Sequence, residues 1–156
     1  MFRKMRRIKQ QISEQECVEV LTNAPRGVLA VHGEDGYPYA IPMNHIYREG
    51  KIYFHGAKVG HKLDALAVDD KVSFCVMDEG FRKDGEWALN IKSVVIFGRI
   101  KKVEVGPEAT EILRQIGLKH YPTAESVEEE IRKAGAHVQI LELSIDHMTG
   151  KLVNES

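Results

Sequence analysis

Between Arg26 and His55 the sequence packs three period-two runs and two turn clusters, a density that leaves little room for anything but antiparallel β structure. Val28, Ala30 and His32 alternate with Gly27, Leu29 and Val31, so apolar residues fall on both sides, as suits a strand inside a barrel. Glu34-Asp35-Gly36 turns the chain, and Tyr37 to Tyr47 returns as a second strand. Pro38 and Pro42 have no N–H to give a ladder, so a bend, bulge or open edge is expected there. Arg48-Glu49-Gly50 is a hairpin turn, and Lys51 to His55 is the third strand.

Around this unit the chain alternates short helices with further strands. Ser13 and Glu16 form a capping box that predicts a helix over 14–23, with Cys17, Val18 and Leu21 as its apolar stripe. Lys71 to Met77 is a fourth strand and Asp78 to Glu86 an exposed loop. Trp87 to Val105 is the longest β-like run, with Gly98 permitting a sharp bend. Pro107 starts a helix carrying Ile112, Leu113 and Ile116 on one side, and Ser126-Val127-Glu128-Glu129 caps another that runs to Ala134 and stops at Gly135. His137 to Ile145 is a last strand before a Thr149-Gly150 turn. Strands in this order, with helices in the connections, fit a small closed barrel, which removes exposed edges.

The third strand runs straight into a possible anion site. Tyr53-Phe54-His55-Gly56-Ala57-Lys58-Val59-Gly60 ends in small residues, and Gly60 opens a helix whose apolar positions are Leu63, Leu66 and Ala67. The first turn of a helix has free N–H groups and a partial positive charge; here His61 and Lys62 stand on it. Neither a G-x-x-x-x-G-K-[ST] loop nor a G-x-G-x-x-G fingerprint is present.

Composition narrows the partners. The 22 basic and 23 acidic residues nearly cancel, so no global field recruits nucleic acid, and 156 residues fit one domain, residues 1–156. The basic segment Arg3 to Lys9 lacks interleaved aromatic residues and reads as a solvated arm. No run approaches a membrane span, the polar Gln10 to Glu14 stands where an export signal needs an apolar core, and Cys17 and Cys75 read as buried thiols, so a cytoplasmic protein is expected.

Five pieces, in the same order along nearly the whole chain, resemble the pyridoxamine 5'-phosphate oxidase-like split-barrel proteins that bind flavin mononucleotide (FMN), in particular the nitroimidazole-resistance (5-nitroimidazole reductase) branch. They are Met1-Phe2-Arg3-Lys4-Met5-Arg6-Arg7; Asp35-Gly36-Tyr37-Pro38-Tyr39-Ala40-Ile41-Pro42; the central Tyr53 to Ala57, Gly60 to Leu66 and Lys71 to Val76; Ser93 to Arg99; and Met148-Thr149-Gly150-Lys151. The resemblance implies a mainly β, α+β fold, an antiparallel split barrel with short peripheral helices, and a homodimer holding two FMN at its interface.

It also implies roles. Lys62 contacts the phosphate, with His61 standing where related oxidases carry an arginine, and Gly56, Ala57 and Gly60 let the cofactor approach the main chain. Ile41-Pro42-Met43-Asn44-His45-Ile46 forms the ring slot, and Trp87 with Lys92-Ser93-Val94 completes it from the second subunit. His55 lies beside the ring as a proton donor titrating near neutrality. Among the other histidines, His32 and His137 read as core or rim residues and His120 and His147 as element-end residues. His45, His55 and His61 lack the spacing of a preformed metal site, so no metal is expected. The chain departs from the oxidases proper at Lys151 to Ser156, where they end in an arginine-rich substrate-binding strand. The expected function is therefore FMN-dependent reduction of a small, aromatic or nitroaromatic acceptor; flavin storage, or haem binding through His55 or His45, remain open alternatives.

Overall fold

A computed structural model describes residues 1–156. Its six strands, β1 (Arg26–His32), β2 (Pro38–Arg48), β3 (Lys51–Ala57), β4 (Lys71–Met77), β5 (Asn90–Val103) and β6 (Val138–Asn154), close into an antiparallel barrel in the order β1-β2-β3-β6-β5-β4. Four helices decorate it: α1 (Glu14–Asn23), α2 (His61–Val68), α3 (Pro107–His120) and α4 (Ala124–Ala134).

The β2–β3 hairpin is tight because Glu49 and Gly50 both take positive φ, 50° and 79°, the two-residue turn whose twist matches that of the strands. The inward row is aliphatic and aromatic: Leu29, Phe54, Phe74, Ile96 and Leu143 are wholly buried, and the rings of Phe54 and Phe74 meet edge to face at 5.0 Å. A second, smaller cluster outside the wall, Ile46, Tyr53, Ile112, Ile116 and Ile140, seats α3 against β2, β3 and β6. Beside it the Tyr53 hydroxyl donates to Glu142 at 3.0 Å. Burial and that carboxylate push the phenol up to about 12.

The expected capping box is present: Ser13 Oγ accepts from Glu16 N–H at 3.2 Å, and the Glu16 carboxylate accepts from Ser13 N–H at 3.1 Å. At the other end of α1, the Leu21 carbonyl would normally bond the N–H four residues on, but that residue is Pro25, which has none. The imidazole of His45 reaches across from β2 and donates Nε2–H to it at 2.8 Å.

Several boundaries differ from the sequence reading. β5 begins at Asn90, not Trp87, and Trp87 stands 74% exposed in the preceding loop. The N-cap of α4 lies three residues before the expected one: Thr123 holds that position and Ser126 is the reciprocal member of its box. His32 and His137 are exposed rather than core residues, whereas His147 lies on β6, stacked with Phe2 at 4.6 Å and with Phe97 at 6.2 Å. The chain is therefore anchored at Phe2, just ahead of the basic arm. No helix is long and apolar enough to cross a membrane.

The largest correction concerns Thr149-Gly150, which is not a turn. β6 runs through it for 17 residues, paired with β5 and bulged opposite Phe97 and Gly98. Gly150 is there for proximity: a Cβ would come 2.6 Å from Cys17 Sγ and 2.8 Å from the Ile12 side chain, and its carbonyl accepts from Ile12 N–H at 3.0 Å. Gly150→Ala is therefore expected to lower unfolding free energy by roughly 1–3 kcal/mol through overpacking. Urea denaturation should show a shifted midpoint at unchanged slope, and a smaller loss in a Cys17→Ala background.

Candidate functional site

β2 changes neighbours along its length. Residues 38–44 pair only with β1, and only His45 to Arg48 pair with β3, opposite Lys51 to Phe54. Beyond Phe54, β3 leaves β2, and His55, Gly56 and Ala57 pair only with β6. The wall is thus split between the first half of β2 and the end of β3. The open side of β2 is where Pro38 and Pro42 are tolerated, since no ladder bond is asked of them there.

The helix α2 lies across that split. Its His61 ring stacks on Tyr39 of β2 at 4.2 Å, and Lys62 reaches in until Nζ is 3.7 Å from Met43 Sδ. Gly56 on β3 leaves room for the ammonium: a Cβ there would stand 2.8 Å from Nζ. Gly60 precedes the helix at φ 139°, a conformation that favours glycine, and no side chain caps the first turn. The uncapped first turn and the Lys62 cation thus belong to the same end of α2, against Met43 of β2 and Gly56 of β3.

Electrostatics mark the same place. Lys62 is half-buried and takes part in none of the molecule's ion pairs. Burial lowers its pKa, as expected of a cation short of both water and a counter-charge. His55, next to Gly56, is lowered as well, first by burial and then by the Lys62 charge. Its imidazole is therefore neutral at pH 7, below the near-neutral titration expected from the sequence. Arg26 and Asn44, cross-strand partners on β1 and β2, join at 3.3 Å through Nε and Oδ1. Lys119 donates to the His45 carbonyl at 2.9 Å and is pushed down to about 8 by burial.

The segment 41–46 is divided by strand alternation. Ile41, Met43 and His45 face the barrel interior, Ile46 lies under α3, and only Pro42 and Asn44 present side chains to the open outer face. His45 is wholly buried, with its ring edge-on to Phe74 at 5.0 Å, and serves the end of α1 rather than the opening. Ala57 is exposed at the end of β3. Lys92, Ser93 and Val94 are on β5, three strand spacings from Asn44, roughly 14 Å along the sheet. Lys92 pairs with Glu16 at 3.3 Å, Val94 is buried, and the exposed Trp87 accepts from Arg82 Nε through its carbonyl. One chain therefore brings together Asn44, His55, Gly56, Gly60, His61 and Lys62, but not Trp87 or Lys92 to Val94. Sequence reasoning missed Arg26, Lys119 and His120; only strand register and the docking of α3 bring them near.

An antiparallel barrel split beside a basic, uncapped helix start defines the class: a split-barrel protein. The family model described as pyridoxamine 5'-phosphate oxidase matches residues 13–152, and the chain belongs to that family. Among solved structures it is similar to a proposed 5-nitroimidazole antibiotic resistance protein from Bacteroides thetaiotaomicron, at 20% identity over 92% of this chain and 87% of the other, with a TM-score of 0.73. It is also similar to a FAD-binding protein from Mesorhizobium loti, at 21% identity, 92% and 97% coverage and a TM-score of 0.67. For the FAD and heme binding protein from Mycobacterium smegmatis the values are 23%, 94% and 74%, and 0.72. At these identities the likeness concerns the fold, and no curated protein matches the chain.

The buried histidine gives a pH test of the scaffold. Burial, then the Lys119 charge, lowers the His45 pKa from 6.5 to about 4. Between those values the unfolded chain binds a proton that the native one refuses, so stability falls as pH drops from 6.5 towards 4, by at most about 3 kcal/mol from this group. His55 and His120, also lowered by burial, act in the same direction. His45→Gln keeps a donor for the Leu21 carbonyl but cannot titrate; its urea stability should decline less than that of the parent between pH 7 and 4.5.

Proposed function

We propose that this chain is a flavin-dependent oxidoreductase that binds FMN with its phosphate at the start of α2. The observation that carries the reading is the half-buried Lys62 ammonium at an uncapped helix start, beside a glycine that clears space for it and with no carboxylate partner. A phosphate dianion suits this donor set, with the N–H groups of the first turn and Lys62 as ligands and Gly56 allowing close approach. His61 is held by its stack on Tyr39 at the edge of the same opening and adds charge when protonated. Pro42 and Asn44 stand beside it on the outer face, Pro42 as an apolar surface and Asn44 as donor and acceptor for a ring edge. Similarity to proteins described as binding FAD supports a flavin. One unpaired cation at one helix start suits the single phosphate of the mononucleotide.

When bound, the flavin supplies two-electron transfer between a nicotinamide nucleotide and a small aromatic acceptor. For a nitro group the balance is one hydride and one proton taken up, a nitroso group formed and water released. The chain's part is to hold the phosphate and exclude water. His55, next to Gly56, is the group proposed to pass the proton, and an anion on Lys62 would offset the smaller of the two causes, after burial, that hold its pKa down.

We place two copies of the chain at the working site. The outer wall carries an apolar stripe in cross-strand register, Pro42, Val28, Cys75 and Val95, with Phe97 in the adjoining row. Val28, Val95 and Phe97 are 44, 38 and 40% exposed, and in the reading offered here this wall meets a second subunit whose Trp87 and Lys92 to Val94 close the slot.

The purified protein should show flavin absorbance, or take up FMN on reconstitution. Lys62→Ala should weaken FMN binding by roughly 1.5–3 kcal/mol, ten- to a hundredfold in Kd, as measured by fluorescence quenching on titration. Bound FMN should be reduced by a nicotinamide nucleotide and reoxidised by a nitroaromatic. A protein that never takes up FMN, or a Lys62→Ala variant of unchanged affinity, would defeat the assignment.

A further inference from the structure

The last turn of α3 comes to rest over β2 where the wall parts, and it brings a cation with it. The register that joins Arg26 to Asn44 sets Pro25 opposite His45, and proline has no N–H to offer. The Lys119 ammonium donates to the His45 carbonyl instead, at 2.9 Å, and the His120 ring meets the same main chain. Lys119 is thereby held one residue along β2 from Asn44, whose side chain stands on the outer face proposed to take the flavin's ring edge.

The surroundings of this ammonium are short of negative charge. Lys119 is half-buried and belongs to none of the molecule's ion pairs. Its neighbour Arg26 is another cation, bonded to Asn44 Oδ1 at 3.3 Å. Burial, then the charges of Lys119 and Lys62 respectively, hold the His120 and His55 pKa values down, so neither ring supplies charge near pH 7. Lys119 itself is pushed down to about 8 by burial, which leaves it charged at pH 7 with one carbonyl as its partner. Arg26 is exposed and screened by water, so of the two the Lys119 charge acts the more strongly on anything beside Asn44.

Reduction creates a charge for it to meet. Hydride transfer from a nicotinamide nucleotide moves two electrons and one proton onto the flavin, oxidises the nicotinamide, and leaves one added negative charge on the pyrimidine side of the ring. We propose that Lys119 stabilises the reduced cofactor over the oxidised one and so sets the potential at which the site accepts electrons. The assignment rests on the flavin reading. Only an interaction that differs between two states moves the balance between them. Lys62 meets a phosphate whose charge is the same in both, whereas Lys119 faces a ring edge that is charged in one alone.

The test is the midpoint potential of FMN on the full chain at pH 7, read photometrically against reference dyes, beside the affinity for oxidised FMN from fluorescence quenching. Lys119→Met should lower the ratio of reduced to oxidised FMN affinity at least tenfold, a potential about 30 mV more negative for a two-electron couple. Lys119→Arg keeps the charge and should stay within about threefold of the parent in that ratio. Lys119→Gln keeps an N–H for the His45 carbonyl without the charge and should fall with Lys119→Met; it carries the same comparison if the methionine variant does not fold. Oxidised FMN should bind all of them within about threefold of the parent. A neutral variant whose potential equals the parent's overturns the assignment, and so does an equal loss of affinity for both redox states. A chain that takes up no FMN defeats the flavin reading; one that holds FMN at a potential indifferent to residue 119 defeats this assignment alone.

Discussion

The constraint on which this molecule depends is that β2 changes partner along its length, residues 38–44 pairing with β1 alone and His45 to Arg48 with β3 alone, so that one edge of its first half is left open. A β ladder satisfies main-chain polar groups at no cost in side chains, and where it stops something else must close the wall. Here α2 does so, packing His61 on Tyr39 and Lys62 between Met43 and Gly56. The helix that repairs the barrel thereby aims its own uncapped end, and one cation, at the gap it covers. Structure and candidate function share one cause, the parting of β2 from β3 beyond the His45–Phe54 pair, where residues 38–44 of β2 and His55 to Ala57 of β3 go separate ways.

Much of this was legible in the sequence because it depends on local chemistry. The two turns around β2, the capping box at Ser13, the proline start of α3 and the glycine before α2 each follow from one residue's backbone preference or hydrogen-bonding group, and the structure has all of them. The split barrel itself came from the resemblance; periodicity alone supports only a small closed one. Where local chemistry and tertiary contact disagree, the sequence misleads. Gly150 resembles a turn glycine but is a strand glycine, because what it accommodates, Ile12 and Cys17, is more than a hundred residues away. Thr123 was passed over for Ser126 because both residues of that cap carry hydroxyls three apart.

The candidate site shows the same division. Lys62, Gly60, Gly56 and His55 are contiguous enough to be found as a motif, and they do converge. His45 was equally attractive by position and is instead a structural donor, its purpose set by Pro25 leaving the Leu21 carbonyl without an amide. No pattern in the neighbourhood of His45 could have disclosed that. His120 and Lys119 belong to a helix whose docking depends on isoleucines of β2, β3 and β6 acting together, so only the assembled fold reveals that they stand over the strand ends.

The junction of the two chain ends has a consequence for synthesis. Ile12 hydrogen-bonds to Gly150, Gln11 bridges to Lys151, and Phe2 stacks on His147. An early segment thus finds its seat only on a strand, β6, that is made long after it. Until then α1 has an apolar face with nothing of this chain's C-terminal strand to cover it. A nascent polypeptide of this design completes its shell only once β6 is available, and chaperone dependence would be concentrated in the interval before that.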